Sequence, residues 1–123
     1  ALQLLGSQND MATIRLDIFK ERIYLKKGYK QMNFTHNENQ IALYSATGDL
    51  LAEITFPYTD AQKDTVNVDH TFVDASLRGQ GIAGKLMIEL VKELSDRNLK
   101  AVPTCSYAVN WFEKHPECSG LLK

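Results

Sequence analysis

The run Leu77-Arg78-Gly79-Gln80-Gly81-Ile82-Ala83-Gly84-Lys85-Leu86 decides how this chain is read. Gly79, Gly81 and Gly84 crowd together, and behind them Ile82, Leu86, Leu90 and Leu94 recur every fourth position, flanked by Ala83, Met87 and Val91. That spacing predicts a core-facing helix over residues 81–96. A glycine-rich turn feeding a helix leaves the first backbone N–H groups without intrahelical partners. The positive end of the helix dipole sits at the same place, and the two together favour a phosphate. A turn that merely needs positive φ angles is the plainer reading of the same glycines.

Two other phosphate motifs fit these residues as strings. Gly79-x-Gly81-x-x-Gly84 matches the dinucleotide fingerprint, and Gly79-x-x-x-x-Gly84-Lys85 matches the P-loop up to its last position. Leu86 stands where the P-loop needs a hydroxyl for magnesium. A dinucleotide fold needs strands and helices that go on alternating, yet only one strand and one short helix are predicted downstream, and the preceding strands look antiparallel. Both matches fail on context.

Upstream, residues 41–46 and 51–56 are short apolar-rich runs separated by Thr47-Gly48-Asp49, which predicts a β-hairpin. Val66, Val68, His70 and Phe72 then alternate with Thr65, Asn67, Asp69 and Thr71, the period of a half-buried strand and the third of an antiparallel meander. Downstream, Asn98 caps the long helix, residues 99–102 read as a strand ended by Pro103, and residues 107–114 read as a second helix with Ser106 as its cap. Residues 10–27 carry Ala12, Leu16, Phe19 and Ile23 at helical spacing, although Ile14, Leu16 and Ile18 also alternate as in a strand. The expected class is α+β, a meander followed by helix, strand and helix.

A chain of 123 residues supports one core of modest size. Its 14 basic and 15 acidic side chains nearly cancel without like-charge blocks, which argues against nucleic acid and anionic membrane as partners. No apolar run approaches the ~20 residues that span a bilayer, so a cytoplasmic protein is expected. Cys105 and Cys118 belong to no metal-ligand spacing, so no metal is expected and both are read as free thiols.

Arg78-x-x-Gly81-x-Ala83 resembles the Q/R-x-x-G-x-G/A signature of the GNAT acetyltransferase superfamily, in the same place between strand and helix. With Asp69-His-Thr-Phe-Val73 and Pro103-Thr-Cys-Ser-Tyr107, the chain is similar to the small single-domain branch of that superfamily, over residues 32 to about 117. The resemblance implies a domain over residues 32–123, with residues 1–31 an extension or leader. It implies a sheet splayed between its fourth and fifth strands, and acetyl-coenzyme A held by Phe72, Val73, Arg78, Gly79, Gln80, Gly81, Ile82, Ala83, Gly84 and Lys85. The activity implied is transfer of an acetyl group to a small amine or an exposed protein amine, in an open, shallow acceptor site. A coenzyme A-binding module with little catalysis is the alternative.

In the small branch a cysteine matching Cys105 lies close to the acetyl group, which implies that it accepts the acetyl or protonates the departing thiolate. A small buried hydrophobe is the plainer reading of that cysteine. The imidazole of His70 suits a base for the incoming amine, yet by strand alternation it shares a face with Val66, Val68 and Phe72, as a packed core histidine would. Glu53 reads as an outward strand residue, at a position where longer relatives sometimes carry a carboxylate. Tyr107 and Asn110 are candidates for the pantetheine end, and His36 and His115 read as surface or cap residues.

Overall fold

The computed structural model describes residues 33–123, so the expectation of a helix over residues 10–27 and the status of residues 1–31 lie outside the described residues. Strands β1 (Thr35–Asn37), β2 (Gln40–Tyr44) and β3 (Leu50–Thr55) form an antiparallel meander. Gly48, at φ +89°, makes the turn between β2 and β3. The following extended stretch divides into β4 (Thr65–Val68) and β5 (His70–Val73). A 3-10 turn (Ala75–Leu77) leads to α1 (Ile82–Asp96), then β6 (Lys100–Pro103), α2 (Ser106–Lys114) and a final 3-10 segment (Pro116–Leu121). Asn98, just past α1, takes the left-handed conformation that closes many helices.

The division at Asp69 organises the molecule. β5 pairs antiparallel with β3, completing a sheet of order β1-β2-β3-β5, whereas β4 pairs parallel with β6 in a separate two-stranded sheet. The stretch is therefore not one meander strand, as its alternation predicts, but two half-strands serving different neighbours. Thr55 faces His70 in the ladder and its carbonyl also accepts from the Asp69 amide at 3.3 Å, so two residues oppose one. Such a bulge shifts the side-chain phase by one residue. Val66 and Val68 stay in the core, while Thr71 and Val73, opposite Ile54 and Ala52, take over the core-facing side beyond Asp69. His70 and Phe72 are turned to the other face, which corrects their expected grouping with Val66 and Val68.

α1 presents Ile82, Leu86, Met87, Ile88, Leu90, Val91 and Leu94 to the core, meeting Ile41, Ile54, Phe56, Val66 and Val68. α2 adds Ala108, Trp111 and Phe112 to the same core. A polar clamp ties the hairpin end to α1. The Arg97 guanidinium donates to the Glu38 carbonyl and the Tyr58 hydroxyl, both at 2.7 Å, and to Glu93 at 3.1 Å, while His36 lies against Glu93 and Glu89. No described helix is long and apolar enough to cross a membrane.

Candidate active site

The site grows from the divergence of the two sheets. At the end of the β4–β6 ladder the Val68 carbonyl accepts from both Thr104 N (3.0 Å) and Cys105 N (3.1 Å), and from there β6 turns away into α2. Among the described residues β5 has a strand partner on one side only. The Asp74 amide donates to the Leu51 carbonyl at 2.7 Å, which fixes the phase of the β3–β5 ladder, so Thr71 and Val73 direct their N–H and C=O groups toward the split. Arg78 Nε donates to the Val73 carbonyl at 3.3 Å from that side. The splay expected from the resemblance is thus present between β5 and β6.

A cavity of about 280 Å³ opens along this split, lined by Val73, Leu77, Arg78, Gly79, Gly81, Ile82, Ala83, Gly84 and Tyr107. Its floor is the start of α1. Gly79 (φ +85°) and Gly81 (φ +73°) take left-handed conformations that L side chains rarely adopt, and Gly81 is the N-cap. Gly81 has no side chain with which to cap this helix, and no carboxylate occupies its first turn. The first N–H groups of a 15-residue helix are thereby left for an anion. Asp74, whose carboxyl is held below its ordinary range by the Ser76 hydroxyl and amide, fixes the turn leading into the loop.

Of the residues expected to bind the coenzyme, Val73, Arg78, Gly79, Gly81, Ile82, Ala83 and Gly84 line this one cavity. Gln80 and Lys85, on the same loop and helix start, lie outside its lining, as does Phe72 on the far face of β5. The lining also includes Leu77 and Tyr107. The Tyr107 hydroxyl lies 3.7 Å from where a Cβ on Gly84 would stand, an ordinary contact distance, so the start of α2 packs beside the start of α1 here.

Cys105 stands farther along β5. Its Sγ is 3.6 Å from Thr71 Oγ1, two residues before the cavity-lining Val73. The N-cap of α2 is Cys105 and not Ser106, a one-residue correction that brings the thiol to the helix terminus. Burial raises the thiol's pKa, but the Ala108 amide, the Thr71 hydroxyl and the Tyr107 amide outweigh it and the net direction is downward. Cys118, buried in the core beside Glu117, is pushed up to about 12. The two thiols are free and chemically opposite.

His70 is exposed on the face away from the core, its Nε2 3.4 Å from Glu53 Oε2. Glu53 faces outward as predicted, opposite Phe72. His36 joins the surface clamp, and His115 stacks on Trp111 with its ring 3.8 Å away. No group of described residues has the make-up of a metal site.

An α+β fold split between two sheets, with a glycine N-cap and left-handed glycines at the mouth of the split, presents a helix start open to an anion. The family model for GCN5-related N-acetyl-transferases matches residues 40–121, and the chain belongs to that family. The chemistry of the family is acyl transfer from an acyl-coenzyme A. A GCN5-like candidate N-acetyltransferase from Staphylococcus aureus is 29% identical, with a TM-score of 0.62 over 77% of this chain and 91% of that one. Tetrahymena GCN5 is 16% identical at a TM-score of 0.49, covering 99% of this chain and 86% of that chain. The ribosomal-protein-alanine N-acetyltransferase of Brucella melitensis is 18% identical at 0.46, covering 84% and 85%. Only the first of these three bears on the fold at useful strength. No curated protein matches the chain.

Proposed function

We propose that the chain transfers an acetyl group from acetyl-coenzyme A to an amine, with Cys105 beside the thioester. The observation that carries this reading is the alignment of three features. They are the glycine-capped start of α1, the edge of β5 at Val73 and Thr71, which among the described residues has no strand partner on that side, and Cys105 beside Thr71. The residues fit the group: open N–H groups and the Arg78 guanidinium suit a diphosphate, and the free strand edge suits the amides of a pantetheine arm. When bound, acetyl-coenzyme A supplies an activated acyl carbon and a thiolate leaving group.

The chain's own part is to hold the carrier at both ends and to present a thiol whose pKa bias is downward, because the Ala108 amide and the Thr71 hydroxyl outweigh its burial. A thiolate is the form that attacks an acyl carbon, so Cys105 is suited to take up the acetyl group before the amine does. That bias favours catalysis over a module that merely binds coenzyme A. We assign this activity to a domain over residues 32–123. Incubation with acetyl-coenzyme A followed by intact-protein and peptide mass spectrometry tests the reading. A 1:1 complex, with acetyl on the Cys105 peptide and none on the Cys118 peptide, supports it; no complex and no acetyl on Cys105 overturns it.

A further inference from the structure

Tyr107 carries a polar group that no contact within the protein uses. Its phenol hydroxyl has no hydrogen-bond partner among the described residues, and burial pushes its pKa upward, so it keeps its proton at neutral pH. The side chain is 37% exposed and belongs to the lining of the cavity at the split. A hydroxyl that lines a cavity without a protein acceptor is a donor for whatever occupies that cavity.

The place of the hydroxyl identifies the acceptor it suits. In α1 the backbone ladder begins with Lys85 N donating to the Gly81 carbonyl at 3.1 Å, so the amides of Ile82, Ala83 and Gly84 precede it and have no intrahelical acceptor. Tyr107 Oη lies 3.7 Å from the position that a Cβ on Gly84 would take. A helical Cβ leans toward the N-terminus of its helix, so the hydroxyl stands beside the first turn, on the side of those amides. The positive end of the 15-residue helix is at the same place, and Arg78 shares the cavity lining with Gly84 and Tyr107. Open amides, a guanidinium and a phenol hydroxyl thus border one cavity of about 280 Å³, and the group that accepts from all of them is an anion with several oxygens. The sequence suggests Tyr107 for the pantetheine end, whereas its hydroxyl stands at the helix start.

We propose that the Tyr107 hydroxyl is a coenzyme-binding donor, which hydrogen-bonds a diphosphate oxygen of the acyl-coenzyme A held at the start of α1 and so closes the anion site from the side of α2. This rests on the acetyl-transfer reading. No covalent bond forms or breaks, and the phenol keeps its proton. A helix start that held the diphosphate by itself would be indifferent to one oxygen on α2, and a ring that only packed there would work equally well without it.

Tyr107→Phe removes that oxygen and keeps the ring, and matching urea midpoints verify that the fold is retained. Calorimetric titration of the full chain and the variant then uses coenzyme A, ADP, which has the diphosphate without the arm, and pantetheine, which has the arm without the diphosphate. Coenzyme A is expected to bind the variant roughly 10-fold or more weakly, the worth of a hydrogen bond to a charged group. ADP should lose a similar factor and pantetheine nothing. Equal coenzyme A affinity in the two proteins means that the ring only packs, and an equal loss for coenzyme A and pantetheine means that the hydroxyl serves the arm. Either result overturns the proposal while the coenzyme site stands. If the wild type binds no coenzyme A at millimolar ligand, the acetyl-transfer reading falls first and this inference with it.

Discussion

Gly81 offers the sharpest test of the loop, because its two contributions separate by substitution. At φ +73° any L residue is strained, at a cost of about 1–2 kcal/mol, which asparagine and aspartate bear best. A Cβ there meets nothing within 4 Å, so the side chain enters the cavity without a clash. Gly81→Asn and Gly81→Asp should therefore fold with nearly equal stability and differ only by one negative charge at the helix start. Against one phosphate charge at about 5 Å, Coulomb's law gives about 1 kcal/mol in bulk water and about 3 kcal/mol at the effective dielectric of a protein surface. Coenzyme A should then bind the aspartate variant about 5- to 150-fold more weakly than the asparagine variant, with the gap narrowing as salt is added. Calorimetric titration at two ionic strengths measures both effects, and pantetheine, which lacks the diphosphate, should show no gap. Equal coenzyme A affinity in the two variants at low salt would refute the assignment of the diphosphate to this loop.

Iodoacetamide at neutral pH should label Cys105 well before Cys118, and bound acetyl-coenzyme A should protect Cys105; equal labelling by peptide mass spectrometry contradicts the site. Cys118, pushed up to about 12 by burial, stabilises the fold below the unfolded thiol's pKa and loses that contribution as pH climbs from that unfolded value toward 12. Denaturant titrations should accordingly show stability falling over that window, less steeply for Cys118→Ala measured against its own neutral-pH value. Gly84→Ala should raise stability by about 0.5–1 kcal/mol through helix propensity, since its Cβ meets only the Tyr107 hydroxyl at ordinary contact distance, while weakening coenzyme A binding by narrowing the cavity. Arg97→Ala should cost about 1–2 kcal/mol by urea denaturation, through lost bonds to Glu38 and Tyr58, and leave coenzyme A affinity unchanged.

The loop and helix were legible in the sequence because glycine spacing and a four-residue apolar period are local signals that no distant contact overrides. Arg78, Gly79, Gly81, Ile82, Ala83 and Gly84 accordingly meet in one cavity. The division of residues 65–73 was not legible. Val66, Val68, His70 and Phe72 alternate perfectly, and nothing local marks the bulge at Asp69, whose cause is that β6 pairs with the first half and β3 with the second. That long-range choice moves His70 from an apparent core position to the exposed face. Leu77 gave no signal because its place in the lining follows from the turn before α1, and Tyr107 gave only a weak one because its contact with Gly84 joins two helices distant in sequence. Cys105 was legible as a candidate by resemblance, but its low-pKa setting depends on the helix starting one residue earlier than Ser106 suggests.

The central claim is that the start of α1 and the split beside β5 form a site for acetyl-coenzyme A, and competitive calorimetry tests it most directly. Leu86 has no side-chain oxygen to hold magnesium, and among the described residues only β4 and β6 pair in parallel, short of the parallel sheet a dinucleotide crevice needs. Titrated in one buffer, acetyl-coenzyme A should bind at one site per chain, and magnesium-ATP and NAD should bind far more weakly. Absence of acetyl-coenzyme A binding at millimolar ligand, or magnesium-dependent ATP binding tighter than that of acetyl-coenzyme A, would contradict the account.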